Sequence, residues 1–134
     1  MTDPPAITRV VLVGHCGLDA GMLRHAVARA LPELELKRAD RGQDLDALAD
    51  ASSLLLVNRV LPAGFDAGSG IELIRQLQRR DPANRPAMML VSNFPESQAE
   101  AEAAGGRPGF GKAELRLPET DEKLRRAAGV AATA

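Results

Sequence analysis

Three short apolar runs constrain this chain more than any other feature: residues 10–13 (Val-Val-Leu-Val), 54–57 (Leu-Leu-Leu-Val) and 87–91 (Ala-Met-Met-Leu-Val). Each is too short for a buried helix and has no polar position on either side, as a strand covered on both faces requires. The segments between them repeat at helical spacing. Met22, Leu23, Ala26, Val27, Ala30 and Leu31 precede Pro32, a short helix is predicted over about 44–51, and Ile71, Leu73, Ile74 and Leu77 precede Asp81-Pro82. From Glu33 to Ala39 polar and apolar side chains alternate, with Leu34 and Leu36 on one side, which suits an edge strand. The last third is less patterned. Residues 95–104 read as a polar helix closed by Gly105-Gly106, Gly109-Phe110-Gly111-Lys112 as a glycine-diluted fifth strand, and residues 119–130 as a terminal helix capped by Thr120, with residues 131–134 as a fraying tail. Strands separated by helices predict an α/β protein: an open parallel sheet with right-handed crossovers and helices on both faces.

Composition narrows the function classes. The chain has 134 residues, 45% of them hydrophobic, so one domain over 1–134 with a core of about 8–130 is expected. No segment approaches the roughly 20 apolar residues of a membrane span. Net charge is −1, aromatic residues make up 2%, and Trp and Tyr are absent, which argues against a nucleic-acid partner. A single cysteine and an N-terminus without the basic and apolar regions of a signal peptide predict a cytoplasmic protein.

Sheets of this kind bind ligands at the carboxyl ends of their strands. Gly14-His15-Cys16, Asn58-Arg59, Ser92-Asn93 and Lys112 stand at four such ends and should converge. The strand that stops at Asn58 with Leu61-Pro62 just beyond, the Ser after the fourth strand and a Lys preceded by Gly-Phe together resemble the receiver domain of two-component response regulators. The resemblance covers nearly the whole chain. It implies a flavodoxin-like, three-layer α/β/α fold with five parallel strands in the order 2-1-3-4-5. It further implies that Gly14 and His15 occupy the place of the acidic pair that holds Mg²⁺, and that Asn58 stands where the family carries its phosphate-accepting aspartate. Ser92 and Lys112 match the residues that contact the phosphoryl group. Gly109 falls where many receivers carry a switch aromatic, with Phe110 one place further on.

An amide is a poor nucleophile and a weak magnesium ligand, so no catalytic residue, metal or cofactor is expected. The resemblance then implies an atypical, stand-alone receiver that is not phosphorylated by the usual aspartyl mechanism. Such a module signals through protein contacts with a sensor kinase, an output protein or another signalling component. The acidic fourth helix, with Glu96, Glu100 and Glu102, marks a face shared with the fifth strand and fifth helix that suits a homodimer. Lys112, with no acid expected nearby, is left to a small anion or to solvent.

A rival reading comes from Gly14, Gly17 and Gly21, since a glycine turn before a helix can cradle a phosphate; it makes the chain a small nucleotide- or anion-binding protein or enzyme. Their spacing fits neither G-x-G-x-x-G nor G-x-x-x-x-G-K-[ST]. His15 and Cys16 with His25 are too few for a zinc site, and Met22 stands where a Cys-x5-Arg phosphatase needs arginine. Cys16 is expected to be a half-buried structural residue. Phosphorylation at Asp66 or Ser92 would lack a metal site. Residues 63–70, Ala-Gly-Phe-Asp-Ala-Gly-Ser-Gly, form a connection longer than the family's common one and are expected to be flexible.

Overall fold

The computed structural model describes residues 6–130. Five strands, β1 (Arg9–Val13), β2 (Glu35–Ala39), β3 (Ser53–Asn58), β4 (Ala87–Val91) and β5 (Arg107–Phe110), alternate with α1 (Gly17–Ala30), α2 (Gly42–Leu48), α3 (Gly70–Gln78), α4 (Pro95–Ala103) and α5 (Pro118–Ala127). Short 3-10 turns at Pro82–Asn84 and Lys112–Glu114 complete the order. The sheet is parallel in the order β2-β1-β3-β4-β5, with the predicted flavodoxin-like topology.

The apolar runs divide their side chains between two cores. Val10, Leu12, Leu54, Leu56, Met89 and Val91 face α1 and α5, packing on Leu23, Val27 and Leu124. Val11, Val13, Leu55, Val57, Met88 and Leu90 face the opposite layer, with Leu45 of α2, Leu73, Ile74 and Leu77 of α3 and Ala101 of α4. Both faces of β1, β3 and β4 are thereby withdrawn from water, so no polar residue interrupts these strands.

Several boundaries differ from expectation. β5 starts two residues before Gly109 and ends at Phe110, so Lys112 lies in the turn that follows the strand. An edge strand tolerates Pro108, and a bulge absorbs the irregularity: Met89 pairs with Arg107 and Val91 with Phe110, three steps of β5 against two of β4. Gln98 of α4 fills this fault. Its amide nitrogen donates to the carbonyls of Leu90 at 3.0 Å and Ser92 at 3.1 Å. Helix α5 is capped by Leu117 with Pro118 in its first turn, while Thr120 is buried and donates its hydroxyl to the Glu114 carbonyl at 2.6 Å. Helix α1 begins at Gly17, earlier than its apolar spacing implies, and Met22 points outward. Helix α2 runs ahead of the predicted 44–51, because Asp44 accepts from the backbone N–H groups of Asp40 and Arg41 at 3.2 Å each and fixes its first turn.

Residues 63–70 are tied down, contrary to the expected flexibility. Phe65 and Ala67 pack against the α2/α3/α4 core, Gly42 N–H donates to the Gly64 carbonyl at 2.8 Å, and the Gln76 amide donates to the Asp66 carbonyl at 3.0 Å. The loop closes at Gly70, where a Cβ would collide with the carbonyl oxygen of Asn58. Gly70→Ala is expected to lower the unfolding free energy by about 1–3 kcal/mol in urea titration, as overpacking does. Gly17→Ala, where a Cβ meets nothing within 4 Å, should be neutral or stabilising by up to about 1 kcal/mol.

Candidate functional site

Strand ends β3, β4 and β5 enclose a cleft of about 150 Å³ lined by Asn58, Arg59, Val60, Val91, Ser92, Asn93, Phe94 and Lys112. The parallel register puts these residues together, since Asn58 pairs with Val91 and the chain turns into a loop just beyond each. Asn58, Ser92 and Lys112 are therefore neighbours, as the sequence predicts. Gly14 and His15 do not line the cleft.

Asn58 is used as a hydrogen-bond donor. Its amide nitrogen donates to the carbonyls of Gly14 at 3.0 Å and Val60 at 2.9 Å, which ties the loop after β1 to the loop after β3. An aspartate would present two acceptors to two carbonyl oxygens at this place. Gly14 has φ of 74°, and a Cβ on it would lie 2.7 Å from Leu61 and 3.2 Å from Pro62. An acidic side chain there would be strained and crowded.

His15 points away from solvent, with 4% of its surface exposed. Its Nε2–H donates to the Leu56 carbonyl at 2.8 Å, while Nδ1 is buried without a partner. Burial pushes its pKa down to about 4, with the charge of Lys112 adding to the effect, so the ring is neutral at pH 7. It offers the cleft neither charge nor ligand atom. Cys16, expected to be half-buried, is exposed and caps α1, its Sγ accepting from Asp19 N–H at 3.5 Å.

Contrary to expectation, Lys112 has an acid partner. Its Nζ lies 2.6 Å from Asp19 Oδ2, both side chains being about a quarter exposed. The lysine's hydrogen bond is the largest influence holding the Asp19 carboxyl below its usual range. The contact arises because α1 and α5 cover the same side of the sheet, pinned by Arg29, whose guanidinium donates to Asp121 at 2.7 Å. The sequence gives no sign of this pair, because a first-turn helix acid such as Asp19 is commonly just a favourable dipole contact.

Ser92 is buried, and its hydroxyl oxygen accepts from Phe94 N–H at 3.1 Å, leaving the hydroxyl hydrogen free to donate. Asn93 accepts from Ala113 N–H at 3.1 Å and holds the turn that carries Lys112. Across the cleft the Arg59 guanidinium lies 5.0 Å from the Phe94 ring centroid, a cation–π pair absent from the sequence reading. Phe110, at the end of β5, is fully buried, so this aromatic has no outward position to occupy. Among the described residues no group of three or more His, Cys, Asp or Glu is placed to hold a metal ion.

The rival glycine loop contracts in three dimensions. Gly17 is the first residue of α1 and Gly21 lies in its second turn, which leaves only residues 14–16 between strand and helix. No helix among the described residues is long and apolar enough to cross a membrane.

Sheet order and helix placement define the α/β class to which response-regulator receiver domains belong. Solved structures agree. The signal receiver domain of a DNA-binding response regulator from Colwellia psychrerythraea 34H is similar with a TM-score of 0.69 at 15% identity, over 91% of this chain and 98% of that one. A CheY-like receiver domain from Methylobacillus flagellatus gives 0.63 at 17% identity, over 92% and 99%. The receiver domain of Saccharomyces cerevisiae Ssk1, crystallised with the histidine phosphotransfer protein Ypd1, gives 0.65 at 16% identity, over 96% and 92%. No protein-family model matches the sequence, and none of the curated proteins does. The chain has the receiver fold.

Because His15 is held neutral, the unfolded chain binds a proton more readily than the folded one as the pH falls. Its contribution is complete above pH 6.5 and is lost between about 6.5 and about 4. Stability is expected to fall by about 2–3 kcal/mol between pH 7 and pH 4.5 from this residue. Urea midpoints of the wild type and His15→Gln across that range check it; parallel curves would remove His15 as the cause.

Proposed function

We propose that the chain is an atypical receiver: a signal-transduction module that works by protein contact and is not charged by Mg²⁺-dependent phosphorylation of an aspartate. The observation that carries this reading is the double donation of Asn58 to Gly14 and Val60. Where a phosphoacceptor needs a carboxylate backed by further acids, this chain has an amide engaged with two backbone carbonyls, a left-handed glycine and an inward-facing neutral histidine. Contact with a signalling protein is supported by the surface around the cleft. Leu18, Met22, Val60, Phe94 and Leu117 are exposed, and all lie on α1 or on the loops at the carboxyl ends of the strands. Leu18 is 76% exposed and Val60 60%. Val60 and Phe94 both line the cleft, and adjoining exposed apolar side chains are a feature of interaction surfaces. The similarity to a receiver crystallised with a histidine phosphotransfer protein makes a phosphotransfer protein the first partner to test.

Asn58→Asp tests the reading directly. With no second acid at Gly14 or His15, the variant is expected to acquire no phosphoryl group from acetyl phosphate with Mg²⁺, read by intact mass, and to lose about 1–3 kcal/mol of stability from the unpaired carbonyls. A Mg²⁺-dependent phosphoryl adduct on the wild type would overturn it, whereas one on the variant alone would assign the loss of this chemistry to Asn58 by itself.

A second reading concerns self-association. Exposed Glu96, Glu100 and Glu102 of α4 stand on one side of edge strand β5, and Arg107, Lys123 and Arg126 line an apolar cleft of about 190 Å³ on the other. A two-fold axis through β5 would set acidic α4 of one copy against the basic side of its partner. The expected outcome is a salt-sensitive dimer in sedimentation velocity that Glu100→Lys weakens at least tenfold. A monomer at every concentration and salt would dismiss this arrangement.

A further inference from the structure

The cleft at the strand ends and the Asp19–Lys112 pair compete for one ammonium group. None of the eight residues lining the cleft is acidic, and two, Arg59 and Lys112, are cationic. Among the described residues Arg59 has no carboxylate partner; its guanidinium rests on Phe94. The Ser92 hydroxyl has a hydrogen to give. These are the donors an oxyanion needs, and one of them is already spoken for, because Lys112 Nζ sits 2.6 Å from Asp19 Oδ2.

We infer that Asp19 is an internal lock on this cleft: its carboxylate occupies Lys112 in the resting state, and a small oxyanion must displace it to bind among Arg59, Ser92 and Lys112. The inference rests on the cleft being an anion site, within the atypical-receiver reading above. Three geometric facts support the lock. Asp19 projects from the first turn of α1 and lies outside the cleft lining, so it takes up charge without filling the space. Lys112 is the one residue that belongs to both the pair and the cleft. The carrier of Lys112 is a turn fastened by Asn93 to Ala113 N–H and by Glu114 to Gly111 N–H at 3.0 Å, so exchange between carboxylate and anion needs only side-chain rotation. No bond is made or broken in this step; one ion pair is traded for another. A partner that offers a phosphate or carboxylate to the cleft would therefore remove one of the ties between α1 and the turn before α5, leaving the Arg29 bonds to Leu115 and Asp121 in place.

A partly exposed ion pair is a weak lock, so its removal should improve anion affinity by roughly fivefold, which is about 1 kcal/mol. The experiment is a titration of inorganic phosphate at constant ionic strength, followed by amide NMR shifts, on the wild type, Asp19→Asn, Lys112→Ala and the double variant. The expected result is binding that is about fivefold tighter in Asp19→Asn, with shifts at Arg59, Ser92 and Asn93, and lost in both variants lacking Lys112. Equal dissociation constants for wild type and Asp19→Asn would overturn the lock while leaving the anion cleft in place. Binding that survives Lys112→Ala would overturn it by removing the contested group. Absence of binding in the wild type and in Asp19→Asn, with well-dispersed spectra showing both folded, would overturn the anion cleft and the lock with it. The reading of the chain as a receiver would be untouched by that result, since it is tested by phosphoryl transfer.

Discussion

Burial of β1, β3 and β4 on both faces is the constraint from which the rest of the molecule follows. A strand with no wet side has every backbone polar group committed to its neighbours, so it cannot shift register without stranding them. That rigidity fixes where each strand ends. The Asn58–Val91 pairing places two loops side by side, and the cleft is the space they leave. Polar side chains are admitted to these strands only at their ends, which is why the residues of the cleft and its surroundings occur at Gly14, Asn58 and Ser92 and nowhere along the strands between.

Within that frame, the face a receiver would use for metal and phosphoryl chemistry is filled by neutral hydrogen bonding. Asn58 donates where an acid would accept, His15 turns its ring toward Leu56, and Gly14 takes a backbone conformation in which a side chain would be strained and crowded. These three features support one another. The loop after β1 can lie against Leu61 and Pro62 only because residue 14 lacks a Cβ, and that close approach brings its carbonyl to the Asn58 amide. The chain thereby spends its strand-end polarity on cohesion between loops. The charges that do face solvent, Arg59 and Lys112, are each engaged by a neighbour.

The architecture was legible because two-sided burial leaves an unmistakable trace in sequence: runs such as Leu-Leu-Leu-Val have no other economical placement. Convergence of Asn58, Ser92 and Lys112 followed from topology. Contacts between distant side chains were less accessible. Asp19 and Lys112 are 93 residues apart and meet only because α1 and α5 share a layer, a fact about helix placement that no local pattern carries. The role of Cys16 as a cap and the anchoring of residues 63–70 by Phe65 were missed for a related reason. Glycine content suggested freedom, whereas Gly64 and Gly70 are there to permit close packing. At β5, proline, glycine and a bulge blur both periodicities, so the sequence points to Gly109 as the start of a strand that begins at Arg107.

The amide of Gln98 has a consequence for how the fold comes apart. Helix α4 contributes a single buried side chain, Ala101, and its other inward anchor is this amide, set into the fault between β4 and β5 with its oxygen unpartnered. Detaching α4 therefore uncovers Ala101 and the part of the α3 and β4 surface beneath it, less apolar area than global unfolding exposes. Because denaturant sensitivity scales with the area exposed, the opening of α4 should depend on urea less steeply in native-state hydrogen exchange than the global unfolding through which β1 and β3 exchange. The molecule would then possess two thermodynamic tiers, a cohesive sheet and a loosely moored helix.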